Sequence, residues 1–278
     1  MVGDVALDVL VAPATAPVPG ADVSARIQTR PGGAGANTAA WLARLGADVT
    51  LAARVGDDPA GRAAAADLAA AGVTAHLAVD PDAATCTVVA ILGEGDRTML
   101  SDRGAAARLS PADLPDVAGF DHLHLSGYVL LSTSSRPAGL AALAAARTGG
   151  LSTSVDPQVA PALAAPGRAA AFLDDVRGVD LLLPNADELR ALGGAEAVLW
   201  SVGAVVSSAG ADGASWADQT GRWTAPAPTV DVVDATGAGD AFDAGVLVAW
   251  LGGADREAAL GAGCAAGAAA VGRMGARP

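Results

Sequence analysis

The sequence predicts an α/β fold in which helices cover a mainly parallel central sheet. Short runs of β-branched residues and Leu alternate along the chain with longer, Ala-rich helical runs, and such alternation is typical of parallel strands joined by crossover helices. A length of 278 residues is enough to bury a substantial core, in one large α/β domain or two small ones. Two segments, at about residues 12–30 and 85–103, break the alternation and predict a small additional β-sheet.

The individual elements follow from apolar patterning and from the turn residues that bound each run. Strands are predicted at residues 2–11, 49–54, 86–92, 122–126, 151–155, 179–183 and 204–208. Helices are predicted at residues 36–45, 62–71, 137–147, 186–192, 240–251 and 256–271. The strands and helices therefore alternate over most of the chain, as a parallel sheet requires.

The two segments that break the alternation carry strand signals with no helix directly after them. Residues 21–29 alternate in polarity, and residues 85–103 contain two strand signals around a turn at residues 93–96 (Gly-Glu-Gly-Asp). Glycine and Asp at such a position are typical of a hairpin. We interpret the two segments as a lid that projects from the main sheet; an ordinary edge hairpin is the alternative.

The charged residues restrict how this protein can bind phosphate. Lys and Arg together number 17, all of them Arg, against 30 acidic residues, and the formal charge is -13. The absence of Lys excludes a P-loop GK[ST] site, a Schiff-base lysine and a lysine base. An acidic chain is also not expected to bind nucleic acid or an anionic membrane. A phosphate site must therefore use backbone N–H groups, Arg or a metal ion.

The apolar segments are typical of a cytoplasmic protein. The longest, residues 258–272, is 15 residues of mostly Ala and Gly, whereas a membrane span needs about 20 strongly apolar residues. The N-terminus has acidic residues and no basic region, so it does not resemble a signal peptide. Cys86 and Cys264 lie far apart in apolar runs and are expected to be small core residues.

A glycine-rich segment near residue 237 is the strongest functional signal. The run Gly237-Ala238-Gly239-Asp240 stands at the start of a helix whose apolar stripe continues to Leu251. Glycines let backbone approach a ligand closely, and the N–H groups of a first helical turn form an anion site. Asp240 has two interpretations: it caps the helix, or it is a base that accepts the proton of a substrate hydroxyl.

Two runs of residues resemble the signatures of the PfkB carbohydrate kinase family, also called the ribokinase-like family. Residues 234–240, DATGAGD, resemble the C-terminal signature. Residues 31–46, PGGAGANTAAWLARLG, resemble the N-terminal signature, and RVGDDPAG at residues 54–61 continues it. The resemblance implies a single three-layer αβα domain over residues 1–278, with a β-sheet lid. It also implies ATP- and Mg²⁺-dependent transfer of the γ-phosphoryl group to a primary hydroxyl of a small sugar or sugar acid.

The resemblance further assigns roles to residues on the acceptor side. It makes Asp240 the catalytic base and places the anion hole at the amides of Gly237, Ala238 and Gly239, together with that of Asp240. The expected contacts to substrate hydroxyls come from Asp8, Gly32, Gly33 and Asn37. Arg103, which follows the second lid strand, is a candidate to bind an acidic substrate or a phosphate; a solvated surface residue is the alternative.

On the nucleotide side, the resemblance implies that Ser208, Gly210 and Gly213 contact ATP. The NxxE pattern at Asn185 and Glu188 implies an ATP and Mg²⁺ site, with the ion bound through water; a helix cap with a solvated Glu is the alternative. Two further positions, Asp234 and Thr236, match a monovalent-cation site that would take K⁺.

The identity of the substrate is less constrained than the chemistry. Ala6 stands where ribokinase-type members carry a substrate-binding Asn, which argues against ribose. The two lid segments contain no aromatic residue, and this favours a sugar over a nucleoside, because a base usually stacks on an aromatic ring. A nucleoside kinase remains an alternative, as do a catalytically silent sugar or nucleotide sensor and a dinucleotide-binding oxidoreductase. The lid is also a candidate homodimer interface.

Overall fold

A computed structural model describes residues 1–93 and 97–278. In these ranges the strands are β1 (Ala6–Pro13), β2 (Ala25–Gly32), β3 (Thr50–Gly56), β4 (Thr74–Asp80), β5 (Cys86–Leu92), β6 (Arg97–Asp102), β7 (His122–Ser126), β8 (Ser152–Asp156), β9 (Leu181–Leu182), β10 (Ala204–Ser208), β11 (Ala214–Asp218) and β12 (Gly221–Ala225). The helices are α1 (Ala34–Arg44), α2 (Pro59–Ala70), α3 (Gly127–Leu131), α4 (Arg136–Gly149), α5 (Ala160–Leu163), α6 (Arg168–Asp175), α7 (Ala186–Ala191), α8 (Ala195–Val198), α9 (Ala238–Leu251) and α10 (Arg256–Val271). None of these helices combines the length and the apolar character that a bilayer span requires.

The central sheet is mainly parallel, as the sequence predicts. Its strand order is β12-β11-β10-β9-β8-β7, with β7 to β10 parallel and β11 and β12 antiparallel. The parallel pair β3-β4 continues the sheet beyond β7, because Val2 forms parallel bridges to both Ala52 and Leu125. The Val2 amide donates to the His124 carbonyl at 2.9 Å, and the Gly3 amide donates to the Ala52 carbonyl at 3.1 Å.

The predicted first strand, residues 2–11, is wrong as a single element. Its first residues complete the central sheet, whereas β1 begins at Ala6 and belongs to a separate sheet of order β2-β1-β5-β6. In this lid sheet β1 is antiparallel to β2 and parallel to β5, and β5 is antiparallel to β6. The predicted hairpin turn between β5 and β6 includes residues 94–96, which lie outside the described residues.

Two apolar cores lie on opposite faces of the central sheet, which gives the three-layer arrangement. Successive strand residues point to opposite faces, and accordingly Leu181 and Leu183 join one core while Leu182 joins the other. The first core packs against side chains of α1, α9 and α10, such as Trp41 and Phe242. The second core packs against α4, α6 and α7. Helices therefore cover both faces of the sheet.

Several elements were absent from the sequence prediction. β4 is half exposed at the sheet edge, and its TAHLAVD sequence mixes Ala, His and Asp with few β-branched residues. Helices α3, α5 and α8 have four or five residues each, which is too short for an apolar period to show. In α6 only Phe172 is buried, so the helix has no clear apolar stripe.

Candidate active site

The residues predicted for catalysis and nucleotide binding meet at the carboxyl ends of the parallel strands. β8 ends at Asp156, Asn185 follows β9, and β10 ends at Ser208. Asn185 and Ser208 form an isolated parallel bridge, so these two loops start side by side. The N-terminus of α9 lies beside them, since Asn185, Ser208 and Gly239 line one cavity. Open parallel sheets bind their ligands at this edge.

Asp240 lies in the first turn of α9 but does not cap that helix. Its carboxylate accepts a hydrogen bond from Asn37 Nδ2 at 3.0 Å on Oδ2, and a longer one from Thr38 Oγ1 at 3.5 Å on Oδ1. Both donors belong to α1, which starts after Gly33. The side chain therefore faces α1 and leaves the amides of its own helix to other partners, which favours the base over the cap.

Burial raises the pKa of Asp240 from 3.8 to about 7. The nearby carboxylates of Asp4 and Asp8 raise it further, while the hydrogen bonds from Asn37 and Thr38 lower it. Only 8% of Asp240 is exposed to solvent. A carboxylate with a pKa near neutral is well matched to accept a proton at physiological pH.

The start of α9 presents backbone N–H groups to the cavity. Gly237 precedes the helix with φ +77°, and a Cβ at this position would lie 2.5 Å from the Ala276 carbonyl oxygen, so only Gly fits. No side chain caps the helix, and a Cβ built at Gly239 would point into open space. The Ala238 amide, however, donates to the Ala235 carbonyl at 3.3 Å.

One amide of the predicted anion hole, that of Ala238, is therefore less available to an anion, because it already has an acceptor. First-turn amides have no acceptor inside their own helix. Within the described residues, the amides of Gly239 and Asp240 remain the best placed to bind an anion. Their N–H groups and the positive end of the helix dipole both favour the binding of an anion.

The predicted substrate-binding residues lie on the other side of Asp240. A Cβ at Gly32 would overlap the Asp8 carboxylate at 2.2 Å, so this carboxylate lies directly over Gly32. Gly33 has φ +91°, and a Cβ there would lie 2.7 Å from the Asp4 carbonyl oxygen. We call Asp8, Gly32, Gly33 and Asn37, together with Arg103, the acceptor cup.

Arg103 is not a solvated surface residue. Its Nη1 donates to Asp4 Oδ2 at 3.0 Å, and its guanidinium lies 4.3 Å from the centre of the Tyr128 ring. Asp4 is itself buried and accepts a hydrogen bond from the Gly35 amide at 3.1 Å. The ion pair with Asp4 and the ring of Tyr128 fix the guanidinium in place within the cup.

A cavity of about 530 Å³ lies on the nucleotide side of α9. All four predicted ATP contacts line it: Asn185, Ser208, Gly210 and Gly213. Ala238 and Gly239 from the start of α9 also line it, and the remaining wall consists mostly of small apolar residues such as Ala227, Val230 and Cys264. This volume and this lining fit a nucleotide, with its base among apolar side chains and its phosphates toward the N-terminus of α9.

Asn185 and Glu188 form a reciprocal cap at the start of α7. Glu188 Oε2 accepts from the Asn185 amide at 2.9 Å, and Oε1 accepts from Asn185 Nδ2 at 2.7 Å. Asn185 Oδ1 in turn accepts from the amides of Asp187 and Glu188. The helix cap of the alternative interpretation is thus present. Glu188 is, however, buried rather than solvated, and burial raises its pKa.

Two buried carboxyl groups, Asp156 and Asp243, were missed by the sequence prediction. Burial raises the pKa of both well above 3.8, and their negative neighbours Asp240 and Glu188 add to the effect. Asp243 is 3% exposed, and its Oδ2 has no hydrogen-bond partner among the described residues. Their positions at the end of β8 and one turn into α9 gave no local signal, because only the fold brings them together.

This cluster of buried carboxyl groups fits a divalent cation with its waters, because a bound cation would favour their ionised form. Across the described residues, no group of three or more His, Cys, Asp or Glu side chains is arranged to hold a metal directly. Mg²⁺ retains several waters and is often held by few protein oxygens together with substrate phosphates. The donor set therefore fits Mg²⁺ bound through water better than a closed protein cage.

The predicted monovalent-cation residues stabilise the loop before α9. Asp234 Oδ1 accepts from the Thr236 amide at 2.9 Å, and Oδ2 accepts from the Gly275 amide at 3.0 Å. The carboxylate of Asp234 therefore connects this loop to the segment after α10. The cation site itself stays a prediction.

Arg277 is a further residue of the site that the sequence gave no reason to select. It follows α10 and lies outside every motif, yet its guanidinium donates to Asn37 Oδ1 at 3.2 Å and to the Gly32 carbonyl at 2.9 Å. It is thus a cation placed against the acceptor cup.

Transfer of a phosphoryl group to an alcohol is the chemistry for which a buried base, an anion-binding helix start and a nucleotide-sized cavity are suited. Residues 3–278 match the model of the pfkB family carbohydrate kinases, and the chain belongs to that family. It is a phosphotransferase with an alcohol group as acceptor, and ATP and Mg²⁺ are its cofactors.

Three relatives illustrate the range of the family. An ATP-dependent ribose-1-phosphate kinase from Halopiger xanaduensis is 35% identical, over 94% of this chain and 88% of its own. A 2-dehydro-3-deoxygluconokinase from Thermoproteus tenax is 33% identical, over 87% and 80%. A structure from E. coli, described as a ribokinase II in complex with ATP and Mg²⁺, is 25% identical with a TM-score of 0.85, over 99% and 92%.

Proposed function

We propose that this kinase transfers the γ-phosphoryl group of ATP to a primary hydroxyl of a small sugar or sugar acid, with Asp240 as the base. The observation that carries this proposal is the placement of Asp240, in the first turn of α9, between the acceptor cup and the cavity. Its carboxylate faces Asn37, a residue of the cup, while the neighbouring Gly239 lines the cavity.

In the proposed reaction, Asp240 accepts the proton of the attacking hydroxyl. Its pKa of about 7 leaves a large fraction ionised at neutral pH, yet makes it a stronger base than a solvated carboxylate. The amides of Gly239 and Asp240 stabilise the charge on the transferred group. Base catalysis of this kind contributes about 10²–10⁴-fold to the rate.

ATP occupies the cavity in this proposal, with Ser208, Gly210 and Gly213 along its length. Asn185 and Glu188 hold Mg²⁺ through water, and the ion supplies positive charge to the nucleotide phosphates when it is bound. Asp234 and Thr236 are proposed to line a K⁺ site beside the start of α9.

The acceptor cup supports a sugar or sugar acid. Asp8 and Asn37 supply an acceptor and an amide for vicinal hydroxyls, and the glycine backbone at Gly32 and Gly33 lets the substrate approach closely. Arg103 adds a fixed cation that would bind a carboxylate or phosphate of the substrate. The similarity to the ribose-1-phosphate kinase and the 2-dehydro-3-deoxygluconokinase supports an anionic substrate.

Tyr128 is an aromatic residue beside the cup, and the guanidinium of Arg103 covers one face of its ring, 4.3 Å from the ring centre. A purine needs such a face to stack on, so this arrangement favours a sugar over a nucleoside.

The lid sheet is proposed to close over the cup, and the sheet is also a candidate dimer contact. Ile27 on β2, and Met99 and Leu100 on β6, are 50–61% exposed. Light scattering of the purified protein tests this proposal: a mass of two chains supports it, and a single chain at all concentrations contradicts it. A cytoplasmic location is also proposed, since Cys86 and Cys264 are buried free thiols.

An ADP-release assay over a panel of acceptors tests the proposed function. The panel contains pentoses, hexoses, sugar acids, sugar phosphates and nucleosides, each with ATP and Mg²⁺, and with or without K⁺. We expect turnover with a sugar or sugar acid above the rate of ATP hydrolysis in water. Turnover confined to nucleosides would show that the nucleoside alternative is right, and none with any acceptor would contradict the proposal.

A further inference from the structure

The segment after α10 turns back and reaches the active site. The Gly275 amide donates to Asp234, and the Ala276 carbonyl accepts from Trp41 Nε1 at 2.9 Å. Gly237, at the start of α9, packs against Ala276 so closely that no side chain fits between them. These contacts join the segment to both α1 and α9, and they carry Arg277 to the point where the two helices meet.

The guanidinium of Arg277 is committed to two acceptors. Nε donates to Asn37 Oδ1 at 3.2 Å, and Nη2 donates to the Gly32 carbonyl at 2.9 Å. The third nitrogen, Nη1, is buried and has no hydrogen-bond partner among the described residues. The fixed, planar geometry of the guanidinium means that the two bonds define its position together.

This contact determines the direction in which the Asn37 amide faces. An amide side chain has one oxygen, which accepts, and one NH₂, which donates, whereas Arg donates only. With Oδ1 held by Arg277, Nδ2 must face Asp240, to which it donates at 3.0 Å. The flipped amide would place its oxygen against the carboxylate and its NH₂ against the guanidinium, and both contacts would be repulsive.

We propose that Arg277 is a positioning residue for phosphoryl transfer, because it fixes the amide of Asn37 so that this amide donates to Asp240. The proposal rests on the proposed function, in which Asp240 is the base.

Arg277 also supplies positive charge to a site that is rich in carboxylates. The titratable groups near Asp240, from every element packed around it, are Asp4, Asp8, Tyr128, Asp156, Asp243 and Arg277. The other nearby cation, Arg103, is paired with Asp4. Loss of the Arg277 charge therefore leaves Asp240 among negative groups, so the proton on Asp240 would be held more tightly.

The test compares Arg277→Gln and Arg277→Lys with the wild type, using kcat against pH with ATP and the best acceptor. For Arg277→Gln we expect kcat to fall by about 10- to 100-fold, the range for lost hydrogen bonds to a charged group. The acid limb of the profile, which reports the ionisation of Asp240, should also move to higher pH by about 0.5 to 1 unit. The reason is that removal of a nearby positive charge raises the pKa of a carboxylate. Arg277→Lys keeps the charge but not the planar pair of donors, so kcat should fall while the limb stays in place.

Arg273→Gln is the matched control, since Arg273 is exposed and lies four residues earlier in the same segment. It should leave both kcat and the profile unchanged, and thermal unfolding checks that each variant is folded. If the profile of Arg277→Gln coincides with that of the wild type, the proposal is contradicted whether or not kcat falls, because a purely structural defect would leave the limb in place. A wild-type kcat in Arg277→Lys contradicts it as well.

A double-mutant cycle shows whether Arg277 acts through Asn37. In an Asn37→Ala background, Arg277→Gln should cost no more than about twofold in kcat, because the amide that it orients is gone. Full additivity of the two losses contradicts the proposal. The proposed function is tested separately with Asp240→Asn. If that variant remains active, the proposed function is wrong. If it is inactive but Arg277 and Asn37 show no coupling, only this inference is rejected.

Discussion

Replacement of Asp240 by Asn should stabilise the ligand-free protein, and this stabilisation should grow with pH. The carboxylate titrates at about 7 in the folded chain and at 3.8 when unperturbed, mainly because folding buries it. Between these two pKa values, the folded protein holds a proton that the unfolded chain has lost. The free energy of unfolding of the wild type therefore falls as the pH rises through this range. Asn does not titrate, so the free energy of unfolding of Asp240→Asn does not fall in this way as the pH rises.

The size of the effect follows from the shift. One pKa unit corresponds to 1.36 kcal/mol, so about two units, from pH 5 to the folded pKa near 7, correspond to about 2–3 kcal/mol. Asn accepts only one of the two hydrogen bonds from Asn37 and Thr38, and this loss costs about 1 kcal/mol at every pH. The difference between pH 5 and pH 8 is unaffected by that constant loss. In a chain of this size it corresponds to roughly 5–10 °C in Tm.

Urea and thermal unfolding at pH 5, 6.5 and 8 measure this difference, without nucleotide, acceptor or Mg²⁺. We expect the Tm of Asp240→Asn, relative to the wild type, to increase steadily over this pH range. Asp22→Asn removes one charge from an exposed loop and should show no such increase. A difference between Asp240→Asn and wild type that is the same at pH 5 and pH 8 would refute the raised pKa.

Two further predictions concern the neighbouring groups. Glu188→Gln keeps one acceptor for Asn185 but loses the second acceptor and a negative charge, so the Mg²⁺ concentration for half-maximal rate should rise about tenfold, as for other partners around a metal. A Mg²⁺ titration that matches the wild type contradicts the proposed role. Arg103→Ala removes the fixed cation of the acceptor cup, so the KM for an anionic acceptor should rise about 10- to 100-fold while the KM for ATP is unchanged. A neutral acceptor is the control, and an equal rise for both acceptors contradicts a role in binding the anionic group.

The sequence predicts the site best where the residues are contiguous. Gly237 to Asp240 combine a helix start, a positive φ and a carboxylate within four residues, so the pattern itself indicates an anion site next to a base. The NxxE pattern at Asn185 and Glu188 is equally local: the two residues form a reciprocal cap, and Asn185 lines the cavity.

Partners that are distant in sequence could not be predicted in this way. Asn37 and Asp240 are 203 residues apart, and Asn37 and Arg277 are 240 apart. Their contacts exist because α1 packs against α9 and because the segment after α10 folds back over both. The pair Asp156 and Asp243 depends in the same way on β8 ending beside α9, and neither residue belongs to a motif that points to the other.

The first strand shows a different limit. Residues 2–11 are mostly apolar and predict one strand, although Gly3 and Asp4 stand at the boundary between the two sheets. Asp4 is buried and accepts hydrogen bonds from Gly35 and Arg103, and the chain leaves the central sheet there to enter the lid. Only the positions of α1 and the lid, which are set by distant residues, explain why the strand divides.

The measurement that tests the central claim most directly is the turnover of Asp240→Asn with ATP, Mg²⁺ and the best acceptor from the panel, alongside the Kd for ATP. If Asp240 is the base, kcat should fall by about 10²–10⁴-fold or more while the Kd for ATP stays within about twofold of the wild type. Turnover near the wild-type rate would contradict the account, because the hydroxyl would then lose its proton without Asp240.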